Sequence, residues 1–187
     1  MRKKITAGKL SKILEEHERW CDTDKKEGEK ADLSNAFLEK AKLDEANLSY
    51  ADLSHADLRK ADLWTHADLS HANLSRANLS RANMQHNDLS KANLSYARLE
   101  YADLYFAILS KANLSSANLS YTALCRANLC GADLSKADLR KANLSDADLS
   151  EADLSSSVLD TDLTQVEYLE IFYFYKKSCR IFSAGAY

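Results

Sequence analysis

Residues 67–81 read Ala-Asp-Leu-Ser-His, Ala-Asn-Leu-Ser-Arg and Ala-Asn-Leu-Ser-Arg, three successive copies of one five-residue unit. The unit recurs from residue 31 to residue 161, with seven copies before His66, which we interpret as a one-residue insertion, and nineteen copies after it. Its central position is Leu in every copy except at Met84. This regularity identifies a repeat protein in which each five-residue unit is one copy of the same structural element.

A period of five residues excludes one long α-helix, because at about 100° per residue the leucines would spread around the whole helix. In an extended segment, Ala and Leu two positions apart point to one side, and the Asp or Asn between them points to the other. The last two residues of each unit would form a corner. We therefore predict an all-β solenoid with an interior of Leu and Ala and coils about 4.8 Å apart. Interior positions of this kind include Leu74, Leu94, Leu104, Leu114 and Leu134.

The repeat resembles that of the pentapeptide-repeat family, and the resemblance spans residues 31–161. It implies four units per coil and a right-handed quadrilateral parallel β-helix. The seven and nineteen units, 26 in all, would then make about six and a half coils with a height of roughly 30 Å.

Residues 1–30 are predicted to form an N-terminal cap with a short α-helix. Leu10, Ile13, Leu14, His17 and Trp20 fall at helical spacing and would cover the first coil with one apolar face. Solenoids need such covers at both ends. The lead-in with His17, Trp20 and a glycine shortly before the first repeat also resembles that of bacterial members of the family.

Residues 162–187 are predicted to form either a C-terminal cap or an association segment. The register breaks after Leu159, because Leu163 follows four residues later instead of five. The stretch 166–182 is rich in aromatic and apolar residues, so it would cover the last coil or pair two chains into a homodimer.

The composition fits one domain of ordinary size, with 187 residues and a formal net charge of -3. Pro is absent and Gly numbers only 4, so the corners must depend on another device. No secretory signal and no membrane span is expected, since the basic start lacks an apolar run and the stretch 171–175 is too short. We expect a cytoplasmic protein. Its four scattered cysteines would be free thiols: Cys21, Cys125, Cys130 and Cys179.

No residue pattern points to catalysis, a metal or a cofactor. The many Asp residues belong to the repeat and would bond to neighbouring backbone or to the adjacent coil. The five histidines form no metal signature. An interior filled with Leu and Ala leaves no cleft for a substrate, so we expect no enzyme activity.

One outward wall differs from the other three when every fourth unit is aligned. The position after its central Leu holds Asp44, Trp64, Gln85, Tyr105, Cys125 and Ser145, and the corner beside it holds Glu45, Thr65, His86, Phe106, Arg126 and Asp146. Exposed aromatic residues among polar ones are typical of protein-binding hot spots. The alternative is that these rings shield the wall or contact the caps. The candidate protein-binding residues are Trp64, Gln85, His86, Tyr105, Phe106 and Arg126.

A second column interleaves basic residues with tyrosines and is assigned to another wall. Such a pattern could bind nucleic acid. Glu39, Asp57 and Glu100 share that wall, however, and favour a solvated face of mixed charge, so no direct nucleic-acid binding is expected. The column consists of Lys40, Lys60, Arg81, Tyr101, Tyr121 and Lys141.

These observations favour a non-enzymatic protein-interaction or scaffold solenoid whose partner the sequence does not name. The family resemblance supplies an alternative, since some members are similar to double-stranded DNA in shape and charge and bind DNA gyrase or topoisomerase, protecting it from quinolones. That mechanism requires a sustained negative potential. The repeats hold 18 acidic and 13 basic residues, but the segment between Leu69 and Gly131 contains six basic and only three acidic residues, so its net charge is positive. DNA mimicry therefore ranks second.

Overall fold

The computed structural model describes residues 3–64 and 66–160 and the backbone of residues 180–181. Within these residues the repeats wind into a four-sided parallel β-helix. Asp52, for example, forms parallel bridges with Asp32 in the preceding coil and with Asn73 in the following one. Bridge partners are 20 residues apart, or 21 where the coil includes the insertion, so four units make one coil as expected.

Short regular elements lie at both ends of the solenoid. Strand β1 covers Lys3–Lys4 and helix α1 covers Ala7–Asp22, while strands β2, β3 and β4 cover Ala36–Phe37, Val158–Leu159 and Arg180–Ile181. β1 pairs in parallel with β2, and β4 pairs in parallel with β3. The ladder of the repeats is therefore continued on both sides by chain outside the regular units.

Each corner is a tight turn in which the fifth residue of the unit has a positive φ. At the corner after Leu104, the Ala107 N–H donates to the Leu104 carbonyl at 3.0 Å, and Phe106 has a φ of 56°. This is the pattern of a type II turn, which usually places Gly at that position. Here residues with large side chains adopt it at about 1–2 kcal/mol each. This is how a chain with little Gly forms so many corners; examples are Lys40, Tyr50 and His55.

Most units have Asp or Asn at the second position, and this side chain binds the backbone of its own corner. Its Oδ1 accepts from the N–H two residues later, as in Tyr105 to Asp103 at 3.1 Å. Some of these side chains also link coils, since Asn73 Nδ2 donates to Asp52 Oδ1 at 3.1 Å. The carboxylates and amides thus hold the strained corners in place, in the structural role that the repeat pattern predicts.

The interior is filled by the Leu and Ala side chains. Leu74, Leu94, Leu104, Leu114 and Leu134 are each at most 1% exposed. Three polar residues stand where other units have Ala. Two of them donate to backbone carbonyls, whereas the fully buried amide of the third has no partner. These residues are Thr122, Ser157 and Asn87.

The predicted N-terminal cap helix is present as α1. Leu10, Ile13 and Leu14 pack against the core of the first coil. His17 is fully buried, and its Nδ1 accepts a hydrogen bond from the Ala31 N–H at 3.2 Å. This bond occupies a backbone donor at the start of the first repeat that has no coil beneath it.

Two further features of the cap were not predicted from the sequence. Strand β1 extends the ladder below the first coil, and Lys3 Nζ lies 2.8 Å from Asp32 Oδ2. Gly28 has a φ of 77°, and a Cβ there would lie 2.2 Å from the carbonyl oxygen of Glu16. Only glycine therefore lets the chain pass so close to α1 before it enters the first coil.

The position of the insertion differs from the one predicted. His66 has a φ of 63°, like the other corner residues, and its ring centroid lies 6.1 Å from that of His86 in the next coil. His66 thus takes the regular corner position, so its interpretation as the inserted residue was wrong.

The C-terminal prediction falls largely outside the described residues. Of residues 162–187, only the backbone of β4 is described, next to β3 of the last repeats. The choice between a cap and an association segment stays a prediction. In the described part of the chain, no helix has the length and apolar character needed to cross a membrane.

Candidate functional site

The structure aligns the outward residues of one face, which we call the candidate wall. Successive parallel bridges join one residue from each coil along it, and the residue two positions later lies beside each of these. Both columns face outward because the residues between and around them point into the core. The bridged column is Lys42, Asp62, Asn83, Asp103, Ala123 and Asn143; the second is Asp44, Trp64, Gln85, Tyr105, Cys125 and Ser145.

The aromatic corner follows the candidate wall in every coil, and its rings and charges are stacked. The rings of His86 and Phe106 lie 5.3 Å apart and nearly parallel, at 10°. The Arg126 guanidinium lies 5.4 Å from the centroid of Phe106, on the other side of it. The aromatic corner consists of Glu45, His66, His86, Phe106, Arg126 and Asp146.

Tyr105 joins the candidate wall to the aromatic corner. Its ring meets that of Phe106 edge-on, with centroids 4.5 Å apart and planes at 81°. Arg126 donates from one guanidinium nitrogen to the Tyr105 hydroxyl oxygen at 3.5 Å and from another to Asp146 at 3.4 Å. The bond to Asp146 raises the pKa of Arg126 above its usual high value. The corner therefore carries a fixed positive charge beside exposed rings.

The column from Lys40 to Lys141 was predicted to lie on a different wall, but the structure places it along the opposite edge of the candidate wall. In each coil this residue comes two positions before the bridged residue, as Tyr101 precedes Asp103. We call this column the basic corner. The candidate wall is thus bordered on both sides. The basic corner consists of Lys40, Lys60, Arg81, Tyr101, Tyr121 and Lys141.

The basic corner is also a continuous stack. The rings of Tyr101 and Tyr121 lie 4.7 Å apart at 12°. Arg81 caps this pair from below at 5.3 Å from Tyr101, and Lys141 caps it from above at 5.2 Å from Tyr121. A cation at each end fixes the ring faces, so both side chains are ordered before any partner arrives.

The six predicted residues lie together on the candidate wall and the aromatic corner. Trp64 is 51% exposed and Phe106 is 39% exposed. Gln85 is half-buried and donates to Asp103 Oδ2 at 2.6 Å. The two tyrosines of the basic corner, Tyr101 and Tyr121, were not predicted to belong to this site. Their place as the fifth residue of the unit just before each unit of the candidate wall was a readable signal.

The floor of the candidate wall is lowest where Ala123 replaces the usual Asp or Asn. Cys125 lies beside it, and both are partly buried. Cys130 stands on the next wall, and Cys21, Cys125 and Cys130 are free. Among the residues that the structure describes, no three potential metal ligands come close enough to hold an ion.

A cavity of about 270 Å³ lies away from the candidate wall, between α1 and the first coil. Among its lining residues are Lys12, Glu16 and Asp32. Hydrogen bonds from Lys3 and Ser34 lower the pKa of Asp32 to about 2, so this carboxylate stays ionised and is a poor general acid. The geometry of this cavity suggests the packing of the cap rather than catalysis.

Comparison with known proteins assigns the family. The profile of the pentapeptide repeats matches in eight copies, at residues 29–64, 65–100, 88–122, 107–146 and 117–165. The chain belongs to the pentapeptide repeat family. It therefore forms the right-handed quadrilateral β-helix of that family. No curated protein matches the chain.

Several pentapeptide repeat proteins of solved structure are similar to it. HetL, involved in heterocyst differentiation regulation in the cyanobacterium Nostoc sp. strain PCC 7120, is 29% identical over 69% of this chain and 83% of its own, with a TM-score of 0.30. Another pentapeptide repeat protein from Nostoc PCC 7120 is 37% identical over 54% of this chain and 79% of its own, with a TM-score of 0.37. QnrB1, a plasmid-mediated fluoroquinolone resistance protein, is 20% identical over 74% of this chain and 78% of its own, with a TM-score of 0.30.

Proposed function

We propose that this pentapeptide repeat protein is a non-enzymatic, cytoplasmic protein-binding solenoid whose contact surface is the candidate wall with its two bordering corners. The observation that carries the proposal is the pair of stacks along both edges of one face. Tyr, Trp and Arg dominate binding hot spots. Here Trp64, Tyr101 and Phe106 are exposed. The guanidinium groups of Arg81 and Arg126 lie over the rings of Tyr101 and Phe106.

Preorganisation supports a binding role for these rings. A side chain that must be immobilised on binding costs about 0.5–1.5 kcal/mol, and a ring already stacked between neighbours avoids much of that cost. Phe106 is held between His86 and Arg126, and Tyr101 between Arg81 and Tyr121.

The wall that contains Ser34 and Ser115, which we call the uniform wall, shows what an unspecialised face looks like. Its fourth-position residue is Ser in every coil, and its bridged residues are all Asp or Asn. The Asp and Asn side chains bond to their own corners, as Asn113 Oδ1 accepts from the Ser115 backbone N–H at 3.0 Å. The contrast supports a specific use for the candidate wall.

The charge distribution supports scaffolding over the gyrase-binding alternative. Around the solenoid middle, Arg76, Arg81 and Arg126 lie over aromatic rings and present cations to solvent. A DNA-like rod needs an unbroken negative surface over its length. Gyrase binding is therefore kept as an outcome of the test below.

The experiment is quantitative affinity capture from cell lysate with the full chain as bait. The test bait is the variant Trp64→Ala, Tyr105→Ala, Phe106→Ala. A matched control carries Ser75→Ala, Ser95→Ala and Ser115→Ala on the uniform wall. Circular dichroism first establishes that all baits fold alike.

We expect at least one protein to be retained by wild type and the serine control and to be lost from the aromatic variant. Equal retention of every protein by all three baits would contradict a role for the candidate wall. Recovery of gyrase by all three baits would restore DNA mimicry as the leading function.

A further inference from the structure

We propose that the candidate wall binds a second copy of this chain, side by side, with the two solenoid axes parallel. This inference rests on the proposed function, because it names the partner of that same surface. It is carried by the order of charges and rings along the two corners, which makes the face complementary to itself.

The symmetry that fits is a two-fold axis parallel to the solenoid axis. Such an axis keeps each coil opposite the same coil of the second copy but exchanges the two edges of the wall. The basic corner of each copy then faces the aromatic corner of the other at every level. Each contact occurs twice, as in any isologous interface.

The corners match at both ends and in the middle of this arrangement. At the first and last coils of the wall, a lysine of one copy faces a carboxylate of the other. In two middle coils, Tyr101 faces a phenylalanine ring and Tyr121 faces an arginine. The two remaining levels place a basic residue opposite a histidine. The opposed pairs are Lys40 with Glu45, Lys60 with His66, Arg81 with His86, Tyr101 with Phe106, Tyr121 with Arg126, and Lys141 with Asp146.

The wall between the corners is self-complementary by the same operation. The bridged column of one copy faces the second column of the other, which brings Lys42 to Asp44 and Asp103 to Tyr105. The Tyr105 oxygen already accepts from Arg126, so its O–H is free to donate to a carboxylate. Ala123 would face Cys125, and these small side chains permit close approach. No level places two like charges together.

The antiparallel alternative is disfavoured by the same residues. A two-fold axis across the wall would set each corner against itself in reverse order. Lys40 would then face Lys141, and Glu45 would face Asp146. Like charges opposed at both ends disfavour that dimer.

The area available is that of a weak but specific dimer. Five residues at about 3.3 Å and six levels at about 4.8 Å give a face of roughly 16 by 29 Å, or about 900 Å² over both copies. This lies below the range of about 1,200–2,000 Å² typical of stable interfaces and within that of weak, transient ones. The dimer should therefore form and dissociate within an accessible range of protein concentration.

The test is sedimentation of the full chain between about 1 and about 500 μM. Three proteins are compared: wild type, Lys40→Glu, and the swap Lys40→Glu with Glu45→Lys. Both changed residues, Lys40 and Glu45, are exposed, so folding is not at risk. We expect the single change to weaken the dimer about tenfold, since two ion pairs become repulsive, and the swap to restore it.

Other outcomes overturn the proposal in distinguishable ways. If Lys40→Glu strengthens the dimer, the copies are antiparallel, because that change removes repulsion from Lys141. If dimerisation ignores both changes, it uses another surface such as residues 162–187. If wild type stays monomeric throughout, the second copy is excluded. In that case the capture experiment still decides whether the candidate wall binds a different protein.

Discussion

Replacement of Leu104 by Asp should prevent the solenoid from folding at neutral pH. Leu104 is 0% exposed, between the interior Met84 of the coil below and Leu124 of the coil above. The backbone around it is fixed by ladder bonds, such as Leu104 N–H to the Ala123 carbonyl at 2.8 Å. The site therefore cannot collapse around a smaller side chain.

The magnitude follows from two contributions. Loss of the buried Leu side chain from a rigid site costs about 3–5 kcal/mol, as in other Leu truncations. A buried Asp must also take up a proton, which at pH 7 costs roughly 4 kcal/mol for a group with a usual pKa near 3.9. The sum of about 7–9 kcal/mol is comparable to the whole stability of a typical domain, about 5–15 kcal/mol.

Circular dichroism with thermal melting measures the effect, with Leu104→Ala and Ser95→Ala as controls. Leu104→Ala should lose only the first contribution and stay folded. Ser95→Ala, on the uniform wall, should change stability by less than about 0.5 kcal/mol. A Leu104→Asp protein that melts with wild type would refute the assignment of interior and exterior positions.

Three further predictions concern the cap and the interior. Burial lowers the pKa of His17, so the unfolded chain binds a proton more readily, and stability should fall as the pH drops below about 6.5. Thermal melts between pH 7.5 and 5.5 should show this slope in wild type and not in His17→Gln. Gly28→Ala should destabilise the protein in urea unfolding, since its Cβ would meet the Glu16 carbonyl, whereas Gly8→Ala, with nothing within 4 Å, should not. Asn87→Ala should raise the melting temperature, because an unpaired buried amide costs about 1–3 kcal/mol; a lowered value would indicate a bound water or a packing role.

The fold could be predicted because the period of five restricts the geometry severely. Ala and Leu two apart, repeated without drift, allow one buried side per unit. The four units per coil, which the bridges 20 residues apart confirm, were implied by the family resemblance and not by the period. The corners could not be predicted in the same way. Lys40, Tyr50 and His55 give no glycine signal, and their positive φ is held by the hydrogen bonds that their N–H groups donate to carbonyls of the next coil.

The candidate site was predicted only in part for a related reason. Aligning every fourth unit found Trp64, Tyr105 and Phe106, but it treated the basic corner as a separate wall. A corner residue borders two faces, and sequence spacing alone does not tell which one it serves. The insertion was also misplaced, because only the ring contact of His66 with His86 and its positive φ reveal which residue completes the corner.

The most direct test of the candidate wall as the surface that binds a second copy is hydroxyl-radical footprinting of the wild-type chain at low and high concentration. Trp64 and Phe106 report on that surface, at 51% and 39% exposed, and Tyr96, at 56% exposed on a different corner, serves as the internal control. We expect oxidation of Trp64 and Phe106 to fall at high concentration while that of Tyr96 is unchanged. Unchanged oxidation at all three residues, or protection of Tyr96 alone, would contradict it.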